Sequence, residues 1–597
     1  MKLWVFIDYI KGEHIMLKLF VNEIKELYNN IQKNNKKCVE EFREKWNIQT
    51  SIGDKYESIV QKESRKKKGS FYTPVDVFSN INKDICRDII SKDNFQIKIL
   101  DPSCGGGYFL VDIYQRLEKE LVRVKFKNYK QHIIDNMLFG YDIDNIAILI
   151  SIIELYYISG YISKNIKNID FLINNEDKDM KYDYIVGNPP YIGHKVLDGE
   201  YRKKLTNIYG DVFYNKGDLS FCFIKKSIDI LKLNGRLCFF TSRYILESLY
   251  GEGVRKYITS NSRIINIVDF YGVRIIKGVG VDSIILTISK ESSENNSVEY
   301  FRVNSEAKDK GAVVFDDINS RGEVYTRNIK VNQIDMNPIG WSFLTIQERE
   351  IIGKIDSKCV CCLENIVNSF QGIITGKDDA FITTPEEAKI NNIEESLLKP
   401  WIKGKNVNRF FVNAPDKLII YSDIIDNDDE YKNALLYLAE FKEKLSKRRE
   451  CLRGVRKWYN IQWGRKANDF NGKKIIFPYK SEYNRFAIDT GNYFSADIYA
   501  LKLKSENTYS YEFLECVLNS SFYEFYIKTI AKKLGDRLYE YYPNKIVKVP
   551  IPKELESINE AYKGKDTDIN IIDSILKYYF QITDEEFTII RSYCGEF

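Results

Sequence analysis

Histidine is scarce in this chain: His14, His132 and His194 are the only three in 597 residues, and they form no metal-binding motif. Long apolar runs are missing too. The first, Leu3 to Ile7, stops at Asp8, well short of the roughly 18 residues of a membrane span, and no secretion-signal core is present. The eleven cysteines are odd in number and lack framework spacing, so free thiols in a reducing compartment are expected. Cys359-Val360-Cys361-Cys362 is too tight for a four-ligand zinc site and no matching pair follows; small buried residues are the expectation there. An excess of one charge is likewise absent, since 89 Lys and Arg against 84 Asp and Glu give +5, which excludes a histone-like polycation. These absences predict a cytoplasmic protein with no membrane segment and no metal.

What is present is 44% hydrophobic residues with 14% aromatics, ample for sizeable cores and contrary to disorder. The length predicts three or four domains. From Leu17 to about Tyr56, residues Leu19, Phe20, Ile24, Leu27, Tyr28 and Ile31 recur at helical spacing and predict one or two amphipathic helices. Lys11-Gly12-Glu13, commonly encoded AAA-GGA-GAA, resembles a ribosome-binding sequence just upstream of Met16. Translation is therefore expected to begin at Met16, which peptides from residues 1–15 in the native protein would contradict.

Ile97, Ile99 and Leu100 read as a short strand running into Asp101-Pro102-Ser103-Cys104-Gly105-Gly106-Gly107, followed by a helical stretch from Tyr108 to Leu121. Strand, glycine turn and helix make a ligand-approach site. Gly105 and Gly107 let the backbone come close to a bulky ligand, and Asp101 offers a carboxylate to a positively charged one. The next strand, Met137 to Tyr141, ends at Asp142-Ile143-Asp144, where Asp142 is placed to accept ribose hydroxyls and Asp144 to cap the helix that follows. After Lys167 to Ile169 comes Asp170-Phe171, which suits either an adenine grip or a surface turn. Tyr182 to Gly187 then terminates in Asn188-Pro189-Pro190-Tyr191, and further strands are predicted at Gly235 to Thr241, Ile264 to Phe270 and Val281 to Ile288. The alternation implies an α/β fold, a parallel or mixed sheet with ligands at its carboxyl edge.

An aromatic exocyclic amine is a poor nucleophile because its lone pair is delocalised into the ring. The Asn188 side-chain carbonyl and the Pro189 backbone carbonyl are placed to accept its two N–H groups, favouring a pyramidal nitrogen. Two prolines hold that geometry rigid, and Tyr191 is placed to stack on a flipped base, an interaction of roughly 1–3 kcal/mol. The alternative reading is a proline-stiffened loop after a core strand.

In this order the motifs resemble the catalytic domain of gamma-class N6-adenine DNA methyltransferases, over residues 66 to about 290. The resemblance implies a Rossmann-like sheet with helices on both faces and S-adenosylmethionine as cofactor. Gly69 to Pro74 matches the family's first motif, so Tyr72, Thr73 and Pro74 are implied to line the cofactor pocket; Asp101, Cys104, Gly105 and Gly107 match the donor loop, Asp142 the ribose acid, and Asp170 with Phe171 the adenine contact. Asn188, Pro189, Pro190 and Tyr191 match the catalytic motif. The family's second base-stacking aromatic falls between Asp269 and Val281, where an ungapped reading leaves Ile276, with Phe270 and Tyr271 nearby.

Beyond residue 335, Phe370 to Ile373, Thr375-Gly376-Lys377 and Lys399 to Gly404 resemble the target-recognition domain attached to methylase halves of bifunctional restriction–modification enzymes. The implied organisation is an N-terminal helical segment (1–65), a catalytic domain (66–335), an α+β target-recognition domain (336–552) and a C-terminal helical segment (553–597). Residues 442–480 carry thirteen Lys and Arg against three Asp and Glu. Within them Arg453, Arg456, Lys457, Trp458, Tyr459, Trp463 and Arg465 are expected to meet double-stranded DNA through phosphate contacts and stacking; a solvated helix fits Lys442 to Arg449 equally well. Tyr523 to Tyr542 is a second aromatic and basic stretch, partly core.

Fewer than 70 residues precede Gly69, too few for a fused nuclease, so a methylation-only enzyme is expected, similar to orphan adenine methyltransferases of spore-forming clostridia and acting as a monomer on a short, asymmetric, adenine-rich site. The competing readings are a methylase subunit of a restriction–modification system, a methyltransferase acting on protein glutamine or an RNA base, and a donor-binding DNA module without activity.

Overall fold

A computed structural model describes residues 2–60, 73–92, 94–174, 180–273, 281–291, 296–308, 310, 312–505, 508–535 and 537–594. The chain divides into two compact units, Met1–Phe343 and Leu344–Phe597. The boundary falls after Phe343 rather than at 335 because Met336, Trp341 and Phe343 are buried in a core of the first unit.

The first unit is built on a nine-stranded mixed sheet of β1 (Ile99–Asp101), β2 (Leu138–Asp142), β3 (Ile166–Asn168), β4 (Tyr182–Gly187), β5 (Leu231–Ser242), β6 (Arg263–Asp269), β7 (Ser283–Ser289), β8 (Ser297–Val303) and β9 (Thr326–Asn332). Their order is β3-β2-β1-β4-β5-β7-β6-β8-β9. The first five strands of that order are parallel and β7 runs against both β5 and β6. Strands β8 and β9 gave no signal in the sequence. Parallel neighbours need crossovers, and helices α5 (Tyr108–Arg123), α6 (Asn145–Ser159) and α7 (Leu219–Ile230) lie in those between β1 and β2, β2 and β3, and β4 and β5, with α4 (Val75–Ser91) leading into β1. Strand β1 is covered on both faces, and all three of its residues are buried, the terminal Asp101 included.

The N-terminal stretch forms three helices, α1 (Lys2–Ile31), α2 (Lys37–Lys45) and α3 (Ile52–Ile59). They belong to the first unit rather than standing apart. Phe20, Ile24, Leu27 and Ile31 share a core with α4 to α6, and the buried Glu154 of α6 accepts the Ile52 N–H at 2.6 Å while facing the Arg43 guanidinium at 3.3 Å. Asp144 caps α6, accepting the Ile146 N–H at 3.0 Å.

The second unit is α+β. One antiparallel sheet joins Val367–Gln371, Ile498–Leu503, Lys474–Pro478 and Ala487–Asp489, and a mixed sheet joins Ile382–Thr383, Lys417–Ile420, Leu398–Ile402 and Tyr493–Phe494, the last two in parallel. The C-terminal residues are not a separate segment, because Ile558, Ile572, Leu576, Phe580 and Ile590 pack with Phe513, Phe522 and Phe525 in one core. Cys359–Cys362 pairs with Pro550–Pro552 as a two-stranded ribbon. Among the described residues, no helix is long and apolar enough to cross a membrane and no group of His, Cys, Asp and Glu is arranged for a metal ion.

Candidate active site and nucleic-acid interface

Strands β2, β1 and β4 are neighbours and end together, at Asp142, Asp101 and Gly187. Such a carboxyl edge is where doubly wound sheets bind ligands. Asp101 is only 1% exposed, and its Oδ1 accepts the Ser103 N–H at 3.0 Å. Burial pushes this carboxyl up to about 8 against the Ser103 N–H, and the charge of Asp142 adds to the rise. Gly187 lets β4 pass beside it, since a Cβ there would stand 2.6 Å from Asp101 Oδ1.

The loop after β1 turns through left-handed Gly105 (φ +49°) and Gly107 (φ +86°). A Cβ at Gly107 would meet Ser151 Oγ at 2.4 Å, whereas one at Gly105 would meet nothing within 4 Å. The loop is thus tight against α6 at Gly107 and open at Gly105. Asp142 braces the open part by accepting the Gly105 N–H at 2.9 Å through Oδ2 and the Asp144 N–H at 2.8 Å through Oδ1. Cys104 is buried below the loop, its N–H donating to the Tyr141 carbonyl at 2.9 Å, and burial pushes its thiol well up. Asp170 Oδ1 accepts the Leu172 N–H at 2.9 Å. Phe171 differs from its expected ligand-facing role: it stacks on Tyr141 and Phe223, with centroids 6.4 and 5.5 Å away, and is 4% exposed. An aromatic at a strand end reads alike in sequence whether it faces a ligand or the core.

At the end of β4 the Asn188 amide is tethered on both sides. Its Nδ2 donates to Thr73 Oγ1 at 2.9 Å and its Oδ1 accepts the Tyr191 hydroxyl at 2.5 Å. That hydroxyl also lies 3.1 Å from the Phe240 carbonyl of β5, and burial raises its pKa. Tyr191 therefore turns its hydroxyl inward, onto the Asn188 oxygen expected from the sequence to accept from an incoming amine. Thr73 is buried and reaches Asn188 across 115 positions of sequence, a link no motif announces. Pro189 is buried and Pro190 half-buried. Tyr72 lies outside the described residues, as does Ile276. Of the other aromatics expected opposite Tyr191, Phe270 is buried against Phe240 and Phe315. Tyr271 is half-buried with φ +41°, its ring between the guanidinium carbons of Arg243 and Arg302 at 5.2 and 4.9 Å. Asp269 holds this corner by accepting from Arg243 Nε at 2.8 Å and the Tyr300 hydroxyl at 2.6 Å.

In the second unit the expected aromatic–basic belt is only partly open. Arg456 is engaged by Asp423 at 2.7 Å, and Lys457 Nζ lies 2.6 Å from the Tyr459 hydroxyl and 3.4 Å from Asp428. Tyr459 is 2% exposed and its hydroxyl donates to Asp428 at 2.6 Å. Trp458 is half-buried beside it, and Arg465 donates to the Gly372 carbonyl at 3.2 Å. Arg453 and Trp463 remain exposed. The acidic partners sit about thirty residues upstream, so charge counting within 442–480 does not reveal them.

The sheet order, the acids that end β1 and β2 and the open glycine loop are those of the Rossmann-like methyltransferase fold. Residues 136–276 match the family model described as Eco57I restriction-modification methylase, and residues 399–551 that described as TaqI-like C-terminal specificity domain. The chain thus joins an Eco57I-type methylase domain to a TaqI-like specificity domain. It is 24% identical to the Type II methyltransferase M.BstVI of Geobacillus stearothermophilus, over 89% of this chain and 99% of that protein. Against the Type II methyltransferase M.BanIII of Aneurinibacillus aneurinilyticus it is also 24% identical, over 87% and 94% respectively. Among solved structures, the Type IIL restriction-modification enzyme MmeI, determined in complex with DNA, shares the fold at a TM-score of 0.62 and 15% identity, covering 92% of this chain and 80% of that one.

The cofactor of this class is S-adenosylmethionine, and the residues fit it. The buried Asp101 suits a cationic group, the Asp142 carboxylate a pair of hydroxyls, and the open face of Gly105 leaves room for a ligand above the loop.

Proposed function

We propose that this chain is a site-specific DNA methyltransferase that methylates the N6 amine of an adenine swung out of a duplex. The observation that carries the reading is the Asn188 amide at the end of β4, held by Thr73 at 2.9 Å with its carbonyl oxygen turned to the position of an acceptor. Bound S-adenosylmethionine supplies an electrophilic methyl group on a sulfonium centre. Asn188 Oδ1 and the Pro189 carbonyl accept the two amine hydrogens and turn the nitrogen lone pair out of the ring. The Tyr191 hydroxyl gives up Asn188 Oδ1 as the base enters, and its ring closes on the base face. Removing a flipped base from water and holding it at this edge accounts for most of the rate enhancement, since no protein nucleophile takes part.

The TaqI-like domain is the part that selects the site. Methylation without cleavage, by a monomer on an asymmetric sequence, is the form we infer; the naming of M.BstVI and M.BanIII as methyltransferases over nearly their whole lengths supports the methylation alone. Single-molecule sequencing of DNA from a methylation-free host expressing the chain tests this. Modified adenines confined to one short motif are expected; unmodified DNA beside abundant folded protein transfers the activity to a protein or RNA amide or amine.

A further inference from the structure

The basic segment of the second unit ends in an apolar tip. Leu452 and Val455 are 75% and 69% exposed, two branched aliphatic side chains within four residues. Single exposed apolar residues are ordinary. This pair is unusual in its framing. Arg449–Leu452 is one helical turn and Arg453 follows it, so that Arg449 lies beside Leu452 and Arg453 at i+3 and i+4. Both arginines are exposed, and neither has an acidic partner among the described residues.

The tip is held from below. Arg448 donates to the Trp458 and Asn460 carbonyls, each at 2.8 Å, and to the Thr375 carbonyl at 3.2 Å, stapling both ends of the loop to its base. The Glu450 carbonyl accepts the Val455 N–H at 3.0 Å, closing the turn around left-handed Gly454 (φ +69°). Arg456 is locked to Asp423 at 2.7 Å directly after it. A mobile loop would fold its leucine and valine down; this one is braced so that they stay in solvent, which has an unfavourable hydration term unless a partner covers them.

We propose that the Leu452–Val455 tip is an apolar wedge that enters the base stack of a DNA duplex, with Arg449 and Arg453 on the flanking phosphates. Exposed aliphatics between unpaired guanidiniums complement a polyanion with an apolar interior, and wedges of this chemistry partly unstack a base step and bend the duplex. The inference rests on the DNA reading above and adds a residue-level device to it.

The test compares the chain with its Leu452→Ser/Val455→Ser variant; both positions are solvent-exposed, so the thermal melt is expected to be unchanged, which calorimetry checks first. Binding is followed by fluorescence anisotropy at several salt concentrations. One duplex contains the methylated motif; another carries the same motif with its target base pair mismatched. A wedge predicts on the order of tenfold weaker binding to the matched duplex with an unchanged salt slope, and a smaller deficit on the mismatched duplex, where stacking is already weakened. The Arg449→Gln/Arg453→Gln variant is expected to reduce the salt slope by about 2. Equal affinity of wild type and the serine variant, or the same deficit on both duplexes, overturns the wedge while leaving the DNA reading intact. Wild-type protein that binds no duplex at all overturns both.

Discussion

Asn188 and Thr73 carry the sharpest expectations at the scale of single residues. Asn188→Ala is expected to keep S-adenosylmethionine and DNA binding while turnover falls by about 10²–10³-fold, the usual loss when a preorganised polar group at a reacting centre is removed. Methylation at the wild-type rate would remove Asn188 from the chemistry. Thr73→Val deletes the acceptor of Asn188 Nδ2 and frees the amide to rotate, so kcat should fall with KM for the cofactor little changed, and Thr73→Ser should restore it. A rise in cofactor KM alone would instead make Thr73 a pocket wall, the role its motif implies. Asp101 gives a pH signature. Its folded carboxyl is pushed up to about 8, above the ordinary unfolded value near 3.9. Between these values the folded chain holds a proton that the unfolded chain has lost, so the contribution of this group to stability declines as pH rises from about 4 to about 8. Asp101→Asn should therefore melt progressively higher than wild type across that window and yet bind S-adenosylmethionine poorly. Parallel melting curves for the two proteins would contradict a protonated, buried Asp101.

Elements show where sequence was informative and where it was silent. Strand ends β1, β2 and β4 were legible because glycine, proline and acid residues punctuate them, and each lies within a residue or two of its expected place. The last strands of the sheet, β8 and the edge strand β9, were not, since Ser297–Val303 and Thr326–Asn332 lack such punctuation. Phe171 and Tyr459 were misplaced for one reason: an aromatic beside charges reads as a ligand contact, and only the fold reveals that Phe223 and Asp428 engage them. The same distinction makes a prediction within the basic segment. Arg453→Gln should lower the salt slope of DNA binding by about 1. Arg456→Gln should act on stability instead, because it leaves the half-buried Asp423 carboxylate without its cationic partner at 2.7 Å. Equal effects of the two changes on the slope would restore Arg456 to the phosphate-contacting set.

For the whole molecule, the division at Phe343 and Leu344 assigns chemistry to one unit and the TaqI-like match to the other. The terminal helices belong to these units, which their amphipathic patterns alone did not tell, since a helix that packs on a domain and one that stands apart carry the same apolar stripe. Deleting residues 553–597 removes Ile558, Ile572, Leu576, Phe580 and Ile590 from a shared core. That truncation is expected to unfold the second unit while the first still binds S-adenosylmethionine; an intact second melting transition in calorimetry would contradict the shared core.

The most direct measurement is nucleoside mass spectrometry of duplex DNA incubated with the purified chain and methyl-labelled S-adenosylmethionine, beside the Asn188→Ala variant. The account predicts label in N6-methyladenine with wild type and its near loss with the variant. Label in a cytosine, in protein or in RNA, or equal labelling by the variant, would contradict it.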